Sequence, residues 1–244
     1  MSTMEMALAQ HCLEDADELN AFLSSLQLAD SFFPSGLYTL SFGLEAFAQA
    51  GLLRPAGFEG LLADYLRHAV GPADGAALAC AHRGAETGDL ELAVEADRRL
   101  TAVKLPREAR ESSQRTGRQL LSNANRIFGG GRLGDYAERV RCGDAPGNHA
   151  VALGLTMAAL HIDRGRALAG ELYAFASGAV GAAVRLAVID HRFAQAVLHA
   201  LKPTILEVTQ ARRESTVHDI GGSAPMIDIM AMRHERAELR LFMS

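Results

Sequence analysis

Nine histidines are the side chains in this 244-residue chain most suited to chemistry, since imidazole and carboxyl groups together hold nickel or zinc. Their spacing does not form a chelating set. His68 and His82 are fourteen apart and His149 and His161 twelve, while His191 and His199 sit two helical turns apart on one face, too far to share an ion. Read without a ligand, they are surface or capping histidines. No H-E-x-x-H and no G-x-S-x-G occurs, and His234-Glu235 completes neither. Gly129-Gly130-Gly131 lacks the Lys-Ser/Thr of a phosphate loop and follows a helical pattern rather than a strand, so it reads as a connector. No catalytic, cofactor-binding or metal-ligating residue is therefore assigned. An enzyme reading has one arrangement open to it, a helical metal-dependent hydrolase built on His149, His161 and Asp163.

The elements that would position any site are helical. Leu19, Phe22, Leu23 and Leu26 make an apolar helix face, interrupted by Pro34 and Gly36. Ser41 or Thr39 is the expected N-cap of a short helix through Leu44, Phe47 and Ala48, with Gly51 as its left-handed C-terminal cap. Phe58 to Ala69 follows, ending at Gly71-Pro72, then an alanine-rich helix to Gly88, one from Leu90 to Val103, and one from Arg107 to Phe128. Asn148 is the expected N-cap of the helix through Leu160. His191 to Arg212 reads as one helix kinked at Pro203. No alternating strand pattern is present. These patterns predict an all-α, single-domain bundle of about nine or ten helices. Its organisation reads as a flexible acidic N-terminus (1–18), a helical domain (19–213), and a linker with a C-terminal interaction tail (214–244).

Composition bounds the function. Hydrophobic residues make up 49%, ample for one core, and the formal charge of −5 offers no basic field for nucleic acid. The stretch Lys104 to Arg118 is a weak basic patch that a nucleic-acid-binding regulator could use, but it reads more readily as a solvated helix face. Three cysteines far apart in sequence suit a reducing cytoplasm. Glu171 and Arg185 cut the apolar run of 167–189 below a membrane-spanning length, so it reads as a core helix, and no membrane contact is expected. In the tail, Met226, Ile227, Met230 and His234 can share a helix face, with Leu239, Leu241 and Phe242 beyond. Such a tail either docks on its own core or waits for a partner.

The stretch Leu26 to Gly51, LQLADSFFPSGLYTLSFGLEAFAQAG, resembles the N-terminal signature of the UreF family of urease accessory proteins through Leu26, Gln27, Leu28, Pro34, Gly36, Tyr38, Ser41, Gly43, Leu44, Glu45 and Ala46. Four later blocks resemble the family in the same order. Lys104, Arg107, Glu108, Arg110, Ser113, Gly117 and Leu120 stand in the first, and His149, Val151 and Gly154 in the second. Ala183, Val184, Arg185, Leu186, Gln195 and Leu198 stand in the third. The terminal block runs through Ala224, Pro225, Asp228, Ile229, Met232, Arg233, His234, Glu235, Arg240, Leu241, Phe242 and Ser244. The chain departs from the pattern at Phe42, where Gln or His is usual, at Val188-Ile189-Asp190, at Ala194, and at Met243.

The resemblance implies a cytoplasmic, non-enzymatic, all-α scaffold, commonly a homodimer and without a cofactor. It would bridge a UreD/UreH-type accessory protein and a UreG-type GTPase so that nickel reaches apo-urease, and could modulate GTP hydrolysis. A paralogue serving another nickel enzyme is the alternative within the family. The residues implied in partner binding are Pro34, Gly36, Tyr38, Ser41, Gly43 and Glu45 in the turn, and Arg233, His234, Glu235, Arg240, Leu241 and Phe242 in the tail.

Overall fold

The structure, a computed structural model, describes residues 3–30, 32–237 and 240–242, with side chains from residue 16 onward within them. Among these residues every regular element is a helix and none is a strand. The order is α1 (Thr3–Ala29), α2 (Leu44–Gln49), α3 (Phe58–Asp64), α4 (Ala76–Thr87), α5 (Leu90–Val103), α6 (Arg107–Ile127), α7 (Gly131–Arg141), α8 (His149–Ala159), α9 (Arg164–Arg185), α10 (His191–Ala200), α11 (Lys202–Arg212) and α12 (Pro225–His234). Two 3-10 turns, Leu37–Thr39 and Val217–Asp219, and a π-helical segment, Tyr65–Gly75, complete it.

The all-α expectation holds, with slightly more helices than the patterns indicate. One extra element is α7, which starts at the last of three positive-φ glycines. Another comes from 191–212, which is two helices rather than one kinked helix. Pro203 lies in the first turn of α11, where a missing N–H costs nothing.

Two apolar clusters share the interior. One centres on α4 and α8, whose alanines and Gly154 let the helices touch backbone to backbone: a β-carbon on Gly154 would stand 2.7 Å from the Leu78 carbonyl oxygen. The other joins α2, α3 and the π segment to α9, α10, α11 and α12, and takes in Phe242. Between α5, α7 and α8, the buried Asp97 carboxyl group accepts from Tyr136 Oη (2.6 Å) and from the backbone N–H groups of Gly147 (2.7 Å) and Asn148 (3.0 Å). Asn148 sits at the N-cap of α8, but its side chain donates to Asp97 and Thr101 and does not cap.

Gly71-Pro72 does not end a helix, contrary to the sequence pattern. The chain runs on from α3 to α4 through the π segment, whose wider turn accommodates the proline. Pro72 has no N–H to give to the π ladder, and the His68 carbonyl of the same segment accepts from Ser223 N–H (3.1 Å). Gly221 N–H donates to the Pro72 carbonyl (3.0 Å), and a side chain at Gly222 would collide with the His68 oxygen at 2.7 Å. Carbonyls of the π segment thus fasten the stretch leading into α12.

Helix α9 is the one described helix long and apolar enough to cross a membrane, and over half of its apolar window is covered by the rest of the fold. Helix α1 packs through Ala21 and Leu28 while Leu19, Phe22, Leu23 and Leu26 face outward, each more than half exposed.

Candidate functional site

The turn after α1 is built from backbone geometry that few residues adopt. Gly36 and Gly43 both take φ of 80°, and Phe42 is held at φ 54°. The Phe42 carbonyl accepts from Tyr65 Oη (2.8 Å), and its ring meets Phe175 edge-on with centroids 4.9 Å apart, which fixes the uncommon conformation. The N-cap of α2 is Gly43 rather than the expected Ser41 or Thr39. Thr39 Oγ1 instead donates back to the Gly36 carbonyl (3.0 Å), which closes the 3-10 turn. Gly51 takes the left-handed conformation just past α2, as its position predicts.

Helix α12 then lies across this turn, with Ile227 and Met230 packed inward and Met226 outward. Its last residue, His234, is buried, and both ring nitrogens face carboxyl groups. Nε2 is 2.9 Å from Glu45 Oε2 on α2, and Nδ1 is 2.8 Å from Glu108 Oε2 on α6. The chain doubles back, so that Glu45 also accepts the backbone N–H groups of Leu241 (2.8 Å) and Phe242 (3.2 Å). Arg240 reaches Glu108 Oε1 (2.5 Å). Glu235 Oε1 accepts from the Glu108 N–H (3.1 Å), placing a carboxyl group at the positive end of α6. One buried carboxyl group on α2 therefore takes two backbone N–H donors of the tail and faces the His234 ring.

Arg185, the last residue of α9, joins the two segments on the outside. Its guanidinium lies 4.2 Å from the Tyr38 ring centroid and 4.4 Å from that of Phe242, and it donates to the Tyr38 carbonyl (2.5 Å). Cation–π stacking on both faces seals the apolar end of the tail. Phe242 is buried beneath it, while Leu241, Tyr38 and Phe32 present exposed apolar side chains.

The expected site residues divide accordingly. Tyr38, Gly43, Glu45, His234, Glu235, Arg240, Leu241 and Phe242 come together at this junction, where a β-carbon on Gly43 would meet the Ala231 backbone nitrogen at 3.5 Å. Ser41 is buried beside them. Pro34 and Gly36 lie instead against α6, where Asn123 Nδ2 donates to the Pro34 carbonyl (3.0 Å) and Gly36 faces Gln119. Arg233 points to solvent. Leu239 and the departure at Met243 lie outside the described residues. Glu108 and Arg185 complete the site although no motif marked them as such. Both sit in the blocks that carry the family resemblance, and that is the signal that could have found them.

Other chemistry is not gathered here. Among the described residues no group of three or more His, Cys, Asp or Glu side chains is placed to hold a metal ion, so His149, His161 and Asp163 do not form the set a hydrolase would need. His149 is buried, His161 is exposed, and Asp163 caps α9 by accepting from Gly165 and Arg166 N–H. The basic stretch is engaged in the fold. Lys104 pairs with Asp74 (2.8 Å), Arg110 binds the carbonyls of Lys104 and Leu105, and Arg118 that of Pro146.

Among the described residues the fold is all-helical, and its C-terminal segment docks on the α2 turn. The UreF family model matches residues 53–202. The chain is 30% identical to the urease accessory protein UreF 2 of Brucella canis, over 99% of this chain and all of that protein. It is 31% identical to urease accessory protein UreF of Trichodesmium erythraeum, over 92% of this chain and 97% of that one, and 30% identical to urease accessory protein UreF of a Bacillus species (strain TB-90), over 93% and 100%. The chain belongs to the UreF family of urease accessory proteins. The family match lies between the α2 turn and the tail docked on it, which together form a latch, and the Brucella canis alignment takes in both.

Proposed function

We propose that the protein is a cytoplasmic, non-enzymatic scaffold that bridges a UreD/UreH-type accessory protein and a UreG-type GTPase during nickel delivery to apo-urease, working as a homodimer. The observation that supports this most is the latch itself. The tail is held on the α2 turn by Glu45, and apolar side chains of both segments, Tyr38 and Leu241, are left facing outward. A docked tail costs a partner less ordering entropy than a free one, so the latch prepares an interface in advance. The turn and the tail act as one surface, in which Glu45, His234, Arg240 and Phe242 hold the shape while Tyr38 and Leu241 make contact.

The exposed apolar face of α1, with Leu19, Phe22, Leu23 and Leu26, is the surface we assign to the second copy of the chain. Co-expression with UreD/UreH-type and UreG-type proteins from the same source, followed by size exclusion, tests the scaffold role. A chain that elutes apart from both proteins would contradict it.

A further inference from the structure

Beneath α12 lies a pocket of about 200 Å³, walled largely by apolar side chains such as Leu40, Tyr65, Val70, Phe175 and Ile227. Lys104, Asp74 and Asp228 line it as well, and two further ionisable side chains outside the tail's contacts stand in this wall: His149 from the first turn of α8 and Glu171 from α9. Both are more than nine-tenths buried. His149 Nε2 and Glu171 Oε2 are 3.8 Å apart, too far for a hydrogen bond, and His149 Nδ1 is buried with no hydrogen-bond partner among the described residues. A buried polar pair left without partners is destabilising, and a polar molecule in the pocket beside it would supply them.

The charge state narrows what that could be. Burial, helped by Asp74 and opposed by Lys104, pushes the Glu171 carboxyl up to about 8. Burial likewise pulls His149 down to about 4, with Lys104 assisting and Asp74 and the Thr116 backbone opposing. At neutral pH the pair is a carboxylic acid beside a neutral imidazole. Lys104 and Asp74 cancel one another at 2.8 Å, Glu108 is occupied by His234 and Arg240, and Asp228 on α12 is pushed up by burial with Lys104 opposing. An ion entering here would lose its hydration and meet no free countercharge. A neutral molecule with a carbonyl and an N–H on adjacent atoms fits: the acid O–H donates to its carbonyl, the acid carbonyl accepts its N–H, and the imidazole bonds a second polar edge.

We propose that the pocket under α12 is a binding site for a small uncharged amide or urea-type molecule, held between Glu171 and His149. Because α12 roofs the pocket through Ile227, Asp228 and Ala231, occupancy and the docked tail stabilise one another. The site is independent of the partner assignments above and is tested on the full chain alone.

Saturation-transfer NMR with acetamide, urea and acetate at millimolar concentrations is the measurement, repeated with Glu171→Gln, Glu171→Leu and His149→Phe. Acetamide or urea should bind saturably at pH 7 and acetate should not; which of the two neutral probes binds tighter separates the amide from the urea source. Affinity should fall about tenfold between pH 7 and pH 9 as the acid ionises. Glu171→Gln keeps a donor and an acceptor, so it should bind within about threefold of the parent and lose the pH dependence, while Glu171→Leu and His149→Phe should abolish binding. Glutamine is the least disruptive change, so its result stands if the other variants fail to fold. Absent saturation by either neutral probe, preference for acetate, or nickel binding at this pair in place of the amides would each overturn the proposal.

Discussion

Glu45 and His234 lie 189 residues apart in sequence and 2.9 Å apart in the fold, and both are almost fully buried. The same carboxyl group that faces the imidazole receives Leu241 and Phe242 N–H, so a side chain of α2 sets where the last residues go. Replacing Glu45 with alanine leaves the buried His234 ring without that carboxyl group and the Leu241 and Phe242 N–H groups without their acceptor. We expect a loss of about 3–5 kcal/mol, read by chemical denaturation, and fast amide exchange across 225–242. Slow exchange there in the variant would show that packing alone holds the tail.

Arg185 should matter to the tail and little to the core. Arg185→Ala removes both ring stacks and the bond to the Tyr38 carbonyl, contacts worth about 1–2 kcal/mol together. Limited proteolysis should then cut the tail faster while helical content by circular dichroism stays unchanged. Arg240→Ala and Phe242→Ala should behave alike and weaken partner binding about tenfold or more, and unaltered assembly of these variants would contradict the role given to the latch.

Asp97 provides the opposite control. It lies away from the tail and satisfies four donors from Tyr136, Gly147 and Asn148. Asp97→Ala should cost about 3 kcal/mol by denaturation and lower Tm, with any loss of partner binding tracking the unfolded fraction.

Stability should also depend on pH through the pocket under α12. Glu171 holds its proton in the folded chain up to about pH 8, against an ordinary value of 4.5, so the folded state binds more protons in that window and stability falls as pH rises through it. His149, lowered from 6.5 to about 4, works the other way between those values, and stability rises with pH there. The two oppose each other below pH 6.5. Above it Glu171 acts alone, and stability should drop by about 1–2 kcal/mol between pH 6.5 and 8. Glu171→Gln should flatten that decline in denaturation midpoints, and an unchanged slope would place its origin elsewhere.

The outward face of α1 predicts an oligomer. Phe22→Glu or Leu23→Glu puts a charge where apolar side chains are more than half exposed, and light scattering should report a monomer in place of a dimer.

Much of this fold is legible in the sequence because helix periodicity and glycine caps are local. Gly36, Gly51 and Gly88 stand at positive φ where the pattern puts turns and helix ends. What the sequence conceals are acceptors satisfied from far away. Pro72 reads as a stop because its missing N–H is visible, whereas the π turn that admits it and Ser223, which donates to the His68 carbonyl in that segment, are not. Asn148 reads as a cap because Asp97 is out of sight. Of the site, the turn and the tail are each marked by motif, but their joining through Glu45 and their closure by Glu108 and Arg185 depend on tertiary geometry.

The most direct test of the account is the mass of the assembly formed when the full chain, or the chain ended at Gly222, is co-expressed with UreD/UreH-type and UreG-type proteins and examined by light scattering after size exclusion. A complex with the full chain that is lost on truncation is the predicted result. A full chain that ignores both proteins, or a truncated chain that assembles as well as the intact one, would contradict it.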